Sequence, residues 1–186
     1  PTWCSCIITY INGDISIMSE LRTNRIIPRD GLPSGSAGGI IQVKQAIHYE
    51  YVQYNQNALT AGVLANGSTG NYSITITPTR SDSKILISFN SKYDSYSGQR
   101  NYITFYRSID GGTAENVLTG TGAGRGLVEI WNPDQRIQAP LMAQYLDSPA
   151  TTSPVTYTVY ALASTGSFYL GLYNNQKFIH AMEVSG

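Results

Sequence analysis

The feature that most constrains this sequence is a series of short β-strand patterns, separated by turns, from residue 39 onward. These segments are rich in Val, Ile, Thr, Tyr and Phe and follow one another at intervals of roughly 10–20 residues, with almost no helical periodicity. The roughly nine predicted strands are Ile40–Ile47, Tyr72–Thr77, Lys84–Phe89, Tyr102–Arg107, Leu127–Trp131, Pro140–Leu146, Val155–Ala163, Ser167–Tyr173 and Phe178–Val184. The pattern predicts an all-β fold that is a sandwich, a jelly roll or a barrel.

The first 39 residues differ in composition from the rest. Residues 28–39 are rich in Gly, Pro and Ser, which is typical of turns and linkers. Ahead of them, Cys6–Ile11 has a strand pattern, but so short a segment cannot bury a core of its own. We therefore predict an N-terminal arm and linker (1–39), docked on a sister subunit or a larger assembly, and a β-sandwich head domain (40–186).

The low charge of the chain narrows the classes of partner. Charged residues make up 13% of the sequence, with twelve Lys and Arg balancing twelve Asp and Glu. The basic field of nucleic-acid binders is therefore absent, and no apolar stretch approaches the roughly 20 residues that span a bilayer. Outward strand positions are expected to be largely Thr, Ser, Tyr and Asn, whose burial costs little free energy when they are hydrogen-bonded. This composition predicts a symmetric homo-oligomer, with a Tyr-rich strand bias as the alternative.

Residues suited to metal or nucleophilic chemistry are few. His48 and His180 each lie in a predicted strand without a metal-binding spacing. Cys4 and Cys6 are too few for a four-ligand zinc site, and are interpreted as packing residues or, alternatively, as a cross-link to another subunit. The glycine-rich segment 120–126 precedes a strand, whereas a dinucleotide site requires a helix there. We interpret this segment as an inter-strand loop and expect no cofactor.

The acidic residues give no sign of a catalytic pair. All twelve are scattered over predicted loops and strand ends, whereas glycoside hydrolysis requires two carboxylates about 5–10 Å apart. No G-x-S-x-G nucleophile motif is present either. We therefore expect no enzymatic activity, although a carboxylate pair assembled between strands or subunits stays open.

Two predicted loops carry candidate binding residues. The segment 93–101 is expected to join two strands and contains Tyr93, Tyr96 and Arg100, while Trp131 begins a second tip, Trp131–Asp134. Aromatic faces beside amide and guanidinium groups suit contact with sugars or proteins. The alternative is that both are ordinary polar loops.

Several stretches resemble virion proteins of tailed phages, particularly those of marine and cyanobacterial phages. The resemblance rests on residues 18–31 (Met-Ser-Glu-Leu-Arg-Thr-Asn-Arg-Ile-Ile-Pro-Arg-Asp-Gly), residues 39–43 (Gly-Ile-Ile-Gln-Val), residues 74–87, residues 146–157 and the closing Met182-Glu183-Val184. Together these stretches extend from about residue 18 to the end of the chain. Because the motifs are structural, they indicate the family better than the particular role.

The resemblance implies a virion fibre, tail-fibre or capsid-decoration subunit, exposed on the particle surface. Its head would be a trimeric antiparallel jelly roll, similar to the tumour-necrosis-factor and complement globular heads, with strand 177–184 beside 40–47 and His48 near His180. The arm would anchor the head to capsid or tail proteins, with candidate residues Trp3, Leu21, Arg22, Ile26 and Ile27. An adhesin tip that binds host glycan or protein is the alternative, and a carbohydrate-active enzyme is less favoured.

Overall fold

The computed structural model describes residues 39–55, 58–59, 63–64, 72–96, 98–118, 125–171 and 176–185. The predictions for the arm therefore lie outside the described residues. They concern strand Cys6–Ile11, Trp3, Cys4, Cys6, Leu21, Arg22, Ile26 and Ile27. The part of the predicted inter-strand loop at 120–124 also lies outside the described residues. No helix in the part of the chain described here is long and apolar enough to cross a membrane.

The described residues form twelve β-strands. They are β1 (Ile40–His48), β2 (Val52–Tyr54), β3 (Val63–Leu64), β4 (Ser73–Ile76), β5 (Lys84–Ser95), β6 (Gln99–Ile109), β7 (Glu115–Asn116), β8 (Val128–Asn132), β9 (Ile137–Asp147), β10 (Val155–Ala163), β11 (Phe168–Leu170) and β12 (Lys177–Val184). A strand is present at each of the nine predicted positions, and the all-β prediction is confirmed. Residues 172–173, the end of the predicted strand Ser167–Tyr173, lie outside the described residues. The strands that were not predicted, β2, β3 and β7, are two or three residues long.

The strands are arranged in two antiparallel sheets. In the first sheet, β9 pairs with one edge of β5, while β12 and β11 follow one another along the opposite edge. β1 lies beyond β12, and β2 and then β3 lie beyond β11. The second sheet has the order β4-β10-β6, with β7 and β8 both paired to the outer edge of β6.

The pairing is nested, which defines a jelly roll. β1 pairs with β12, β4 with β10, β5 with β9, and β6 with β8. Nested pairs of this kind arise when a long hairpin wraps into two packed sheets, so the predicted antiparallel jelly-roll sandwich is confirmed. The expected neighbourhood of the first and last strands is also present, with a register that runs from Ile40 opposite Val184 to His48 opposite Lys177.

Alternation along the strands produces the core between the sheets. On β10 the side chains of Val155, Tyr157, Val159 and Ala161 are fully buried, and the intervening side chains face outward. The opposing side chains come mainly from β5 and β12 of the first sheet, including Ile85, Ile87, Phe89 and Ile179. Ile103 and Phe105 of β6 lie beside the β10 side chains in the second sheet. Burial of each such side chain contributes about 1.5–3 kcal/mol, which makes this interface the main source of stability.

Gly126, two residues before β8, has a left-handed backbone conformation that residues other than glycine rarely adopt. Its φ is +73°, and an added Cβ would lie 2.6 Å from the carbonyl oxygen of Ile103. Gly98 has nearly the same φ, +74°, but its added Cβ would meet nothing within 4 Å.

We expect Gly126→Ala to lower the free energy of unfolding by more than Gly98→Ala. Both variants carry the left-handed strain of about 1–2 kcal/mol, but Gly126→Ala also has to move backbone of β6. Urea denaturation of both variants measures the difference, which we expect to be at least about 1 kcal/mol. Equal losses would show that the contact with Ile103 is relieved at no cost.

Glu183 on β12 is a fully buried carboxylate that connects β1 with the segment between β4 and β5. One oxygen accepts a hydrogen bond from Gln42 Nε2 on β1 at 2.6 Å, and the other accepts bonds from Thr79 N and Oγ1 at 2.8 Å. Burial alone raises the pKa of Glu183, but these donors outweigh it and lower the pKa to about 2.

We therefore expect protonation of Glu183 in acid to lower the free energy of unfolding. Its contribution is complete above the ordinary pKa of 4.5 and disappears as the pH decreases toward 2. We expect Glu183→Gln to cost about 2 kcal/mol at pH 7 and to flatten the acid dependence between pH 4.5 and pH 2. Denaturant titrations over this range test the expectation, and an unchanged acid slope in the variant contradicts it.

Candidate assembly and binding surfaces

The outer side of the first sheet carries three parallel rows of side chains that cross β1, β12, β5 and β9. Strand register fixes the rows, because residues paired across antiparallel strands project on the same side. The rows are Val43–Met182–Leu86–Leu146, Gln45–His180–Ser88–Gln144 and Ile47–Phe178–Asn90–Met142. We call these twelve positions the apolar face.

The apolar face is largely uncovered in the isolated chain. Met142 is 62% exposed, Val43 54%, Leu146 48% and Ile47 44%. None of the twelve positions carries Lys, Arg, Asp or Glu. Exposed aliphatic surface of this kind, in two rows on either side of an uncharged polar row, is typical of an interaction surface.

The second sheet has a different outer side. Its outward positions on β4 and β10 include Ser73, Thr75, Thr156 and Thr158, and β6 and β8 add the exposed ion pair of Arg100 with Glu129. The expectation that outward positions are largely Thr, Ser, Tyr and Asn therefore holds for β4 and β10 of this sheet. It is wrong for the first sheet, because alternation there places aliphatic side chains on both sides.

The middle row of the apolar face is polar but internally hydrogen-bonded. His180 Nε2 lies 2.9 Å from Gln45 Nε2, and His180 Nδ1 lies 3.4 Å from Ser88 Oγ. These contacts give Gln45, His180 and Ser88 hydrogen-bond partners within the row, which lowers the desolvation cost of covering them. Gln144, the fourth member of the row, is exposed.

The two histidines lie on the same strand pair but on opposite sides. His180 is on the apolar face, whereas His48 projects inward, with its ring 5.4 Å from that of Tyr72. The strands of His48 and His180 are therefore neighbours, as expected, but the two side chains lie on opposite sides of the sheet. Within the described ranges, no group of three or more His, Cys, Asp or Glu side chains is placed to hold a metal ion.

Lys177, opposite His48, is fully buried. Its ammonium donates to the carbonyl oxygen of Tyr49, and burial lowers the pKa of Lys177 to about 8. The stem passes over Gly171, where an added Cβ would lie 1.7 Å from Lys177 Cε. Through these contacts Lys177 stabilises the connection between β1 and β2.

The four predicted binding residues lie at one end of the sandwich. Arg100 and Trp131 face each other on β6 and β8, with the guanidinium 4.0 Å from the indole centroid. Trp131 is 57% exposed and Tyr96 41%. Tyr93 is partly buried and packs against the core beside Phe168, so it is not part of an open surface.

The segment 93–101 is not the loop that was expected. β5 continues to Ser95 and β6 begins at Gln99, which leaves three residues between the two strands. The polar residues responsible for the loop prediction are buried: Asn101 Nδ2 donates to Ser95 Oγ at 2.7 Å. The expected tip at 131–134 is likewise partly strand, since Trp131 and Asn132 end β8.

A second aromatic cluster at this end includes residues that the sequence analysis did not identify. Tyr169 lies 6.0 Å from Tyr51 and 6.2 Å from Tyr96 between ring centroids, and the Arg136 guanidinium carbon lies 4.9 Å from the ring of Tyr96. We call Tyr51, Tyr96, Tyr169 and Arg136 the tyrosine platform. The pairing of β11 with β2 and β5, and of β5 with β9, brings its members together from distant parts of the sequence, so no local motif marks it.

The fold places this chain in the class of antiparallel jelly-roll sandwiches, which includes viral capsid and lectin domains. No protein-family model matches the chain, and no curated protein matches it. One solved structure that it resembles is described as "Structure of infectious bursal disease virus Gx strain", with 12% sequence identity and a TM-score of 0.39. The match covers 86% of this chain and 44% of the viral chain, so this chain spans less than half of that one. A likeness at this level carries no functional argument.

Proposed function

We propose that this protein is a non-enzymatic structural subunit of a tailed-phage virion, a fibre or capsid-decoration protein. Its jelly-roll head associates with other copies of itself through the apolar face. The arm, residues 1–39, anchors the head to capsid or tail proteins. The second sheet then faces outward.

The observation that carries this proposal is the contrast between the two outer sides of the sandwich. The apolar face exposes Met142, Val43 and Leu146 and contains no Lys, Arg, Asp or Glu. Burying it against a partner therefore gains hydrophobic free energy and requires no charged group to be desolvated. A second copy of the chain supplies an equally apolar and uncharged partner, which is how symmetric homo-oligomers are built. The resemblance to phage virion proteins with trimeric heads favours three copies.

Mass spectrometry of purified phage particles tests the location of the protein. We expect the chain among the particle proteins, with its copy number measured against the major capsid protein. Many copies identify capsid decoration, and few copies identify a tail fibre; both outcomes support a virion role. Absence of the chain from purified, infectious particles contradicts the proposal.

A further inference from the structure

The tyrosine platform forms a partly exposed surface at the end of the first sheet, with Tyr96 and Arg136 exposed and Tyr51 and Tyr169 half-buried. Tyr96 follows β5, Tyr51 precedes β2 and Arg136 precedes β9, so three chain segments converge around Tyr169 on β11. The ring contacts are tilted or edge-on, at 49° and 63°, so the rings present faces in more than one direction.

A buried carboxylate fixes the charged member of the platform. Asp94 is fully buried and accepts hydrogen bonds from Arg136 Nε and Nη2, while the Arg136 side chain is 46% exposed. Gln138, paired with Asp94 across β5 and β9, donates from Nε2 to the same carboxylate at 3.4 Å. The guanidinium is thus held over Tyr96 before any ligand arrives, which reduces the entropy lost on binding.

The polar groups beside the rings are planar amides and a neutralised guanidinium. Gln53, Tyr169, Asp94 and Gln138 form one row across β2, β11, β5 and β9. The carboxylate of Asp94 balances the positive charge of Arg136, so this row and the tyrosine platform together have no net charge to attract an anion. The outer rows of the apolar face contain exposed aliphatic side chains, whereas this row has none.

We propose that the tyrosine platform binds a neutral pyranose sugar of a glycan. A pyranose ring has apolar C–H faces that pack on aromatic rings, and equatorial hydroxyls that bond to amide and guanidinium groups at the rim. Charge balance at Arg136 and Asp94 favours an uncharged sugar over a sialylated one. This function goes beyond the structural role proposed above and does not depend on assembly through the apolar face.

Saturation-transfer NMR with the full-length protein tests the proposal. The probes are methyl glucoside, methyl galactoside, methyl mannoside and N-acetylglucosamine, with sialyllactose beside lactose as a charged and neutral pair. We expect at least one neutral probe to bind, Tyr96→Ala to weaken it about 5- to 10-fold, and Tyr96→Phe to retain it. Tyr96 lies in an exposed turn, and near-ultraviolet circular dichroism verifies that each variant is folded.

Trp131→Ala is the matched control, because it removes an exposed aromatic side chain from the other sheet. We expect this variant to bind the sugar as the native protein does. Failure of every probe to bind the native protein overturns the proposal, and so does full binding by Tyr96→Ala. Loss of binding in Trp131→Ala alone also overturns it, and tighter binding of sialyllactose than of lactose overturns the assignment of a neutral ligand.

Discussion

Replacing Asp147 with alanine is expected to lower the free energy of unfolding by about 3 kcal/mol. Asp147 is 5% exposed, and both its carboxylate oxygens accept hydrogen bonds from Arg107 Nη1 at 2.9 Å. The hydroxyl of Tyr157, which is fully buried, also donates to Asp147 at 2.8 Å. Alanine at 147 leaves a partly buried guanidinium and a buried hydroxyl without this partner, and each loss is costly.

Asp82→Ala is the matched control for this prediction. Asp82 pairs with Arg80 at 2.7 Å, but both side chains are more than half exposed. Water screens such a pair, so we expect a change of at most about 1 kcal/mol. Urea denaturation of both variants measures the difference in unfolding free energy. Similar losses for the two variants would show that burial does not set the strength of the Arg107–Asp147 pair.

The Asp147 interaction also illustrates what the sequence predicts and what it does not. Strands β4, β5 and β10 are predictable because buried Ile, Val and Tyr alternate with outward-facing side chains along them. The partnership of Arg107 with Asp147 is not predictable in this way, because nothing in the local sequence of either residue indicates the other. It depends on the packing of β6 against the end of β9 across the two sheets.

The unpredicted strands β2 and β7 show the limit of periodicity. A strand of two or three residues contains too few positions to show alternation, and these segments are strands because neighbouring strands provide their hydrogen bonds. The error at 93–101 has a different cause. Asp94, Ser95 and Asn101 look like loop residues by composition, but hydrogen bonds among buried polar side chains compensate for their burial.

The candidate surfaces were predictable only in part. Tyr96, Arg100 and Trp131 were chosen for their residue types, and the fold leaves all three at the surface. Tyr51, Tyr169 and Arg136 were missed because only strand pairing makes them neighbours. The apolar face was missed for the related reason that its rows run across strands, perpendicular to the chain.

Two charges on the apolar face are expected to abolish self-association while leaving the fold intact. Met142 and Leu146 are exposed in the single chain, so Met142→Glu with Leu146→Glu removes no contact within the core. In an assembly that covers this face, each new carboxylate has to be buried without a cation, at a cost of several kcal/mol. Since 1.4 kcal/mol is a tenfold change, we expect association to weaken by at least about 100-fold.

Light scattering of the full-length protein measures this effect. The native protein is expected at three times the 20.3 kDa of one chain, and the double variant at the mass of a single chain. Thr75→Glu is the control, because it adds a carboxylate to the exposed outer side of the second sheet and should leave the mass unchanged. A native monomer at micromolar concentration contradicts self-association. A double variant that keeps the native mass places the interface elsewhere, because unpaired carboxylates on strand β9 are incompatible with burial of that face.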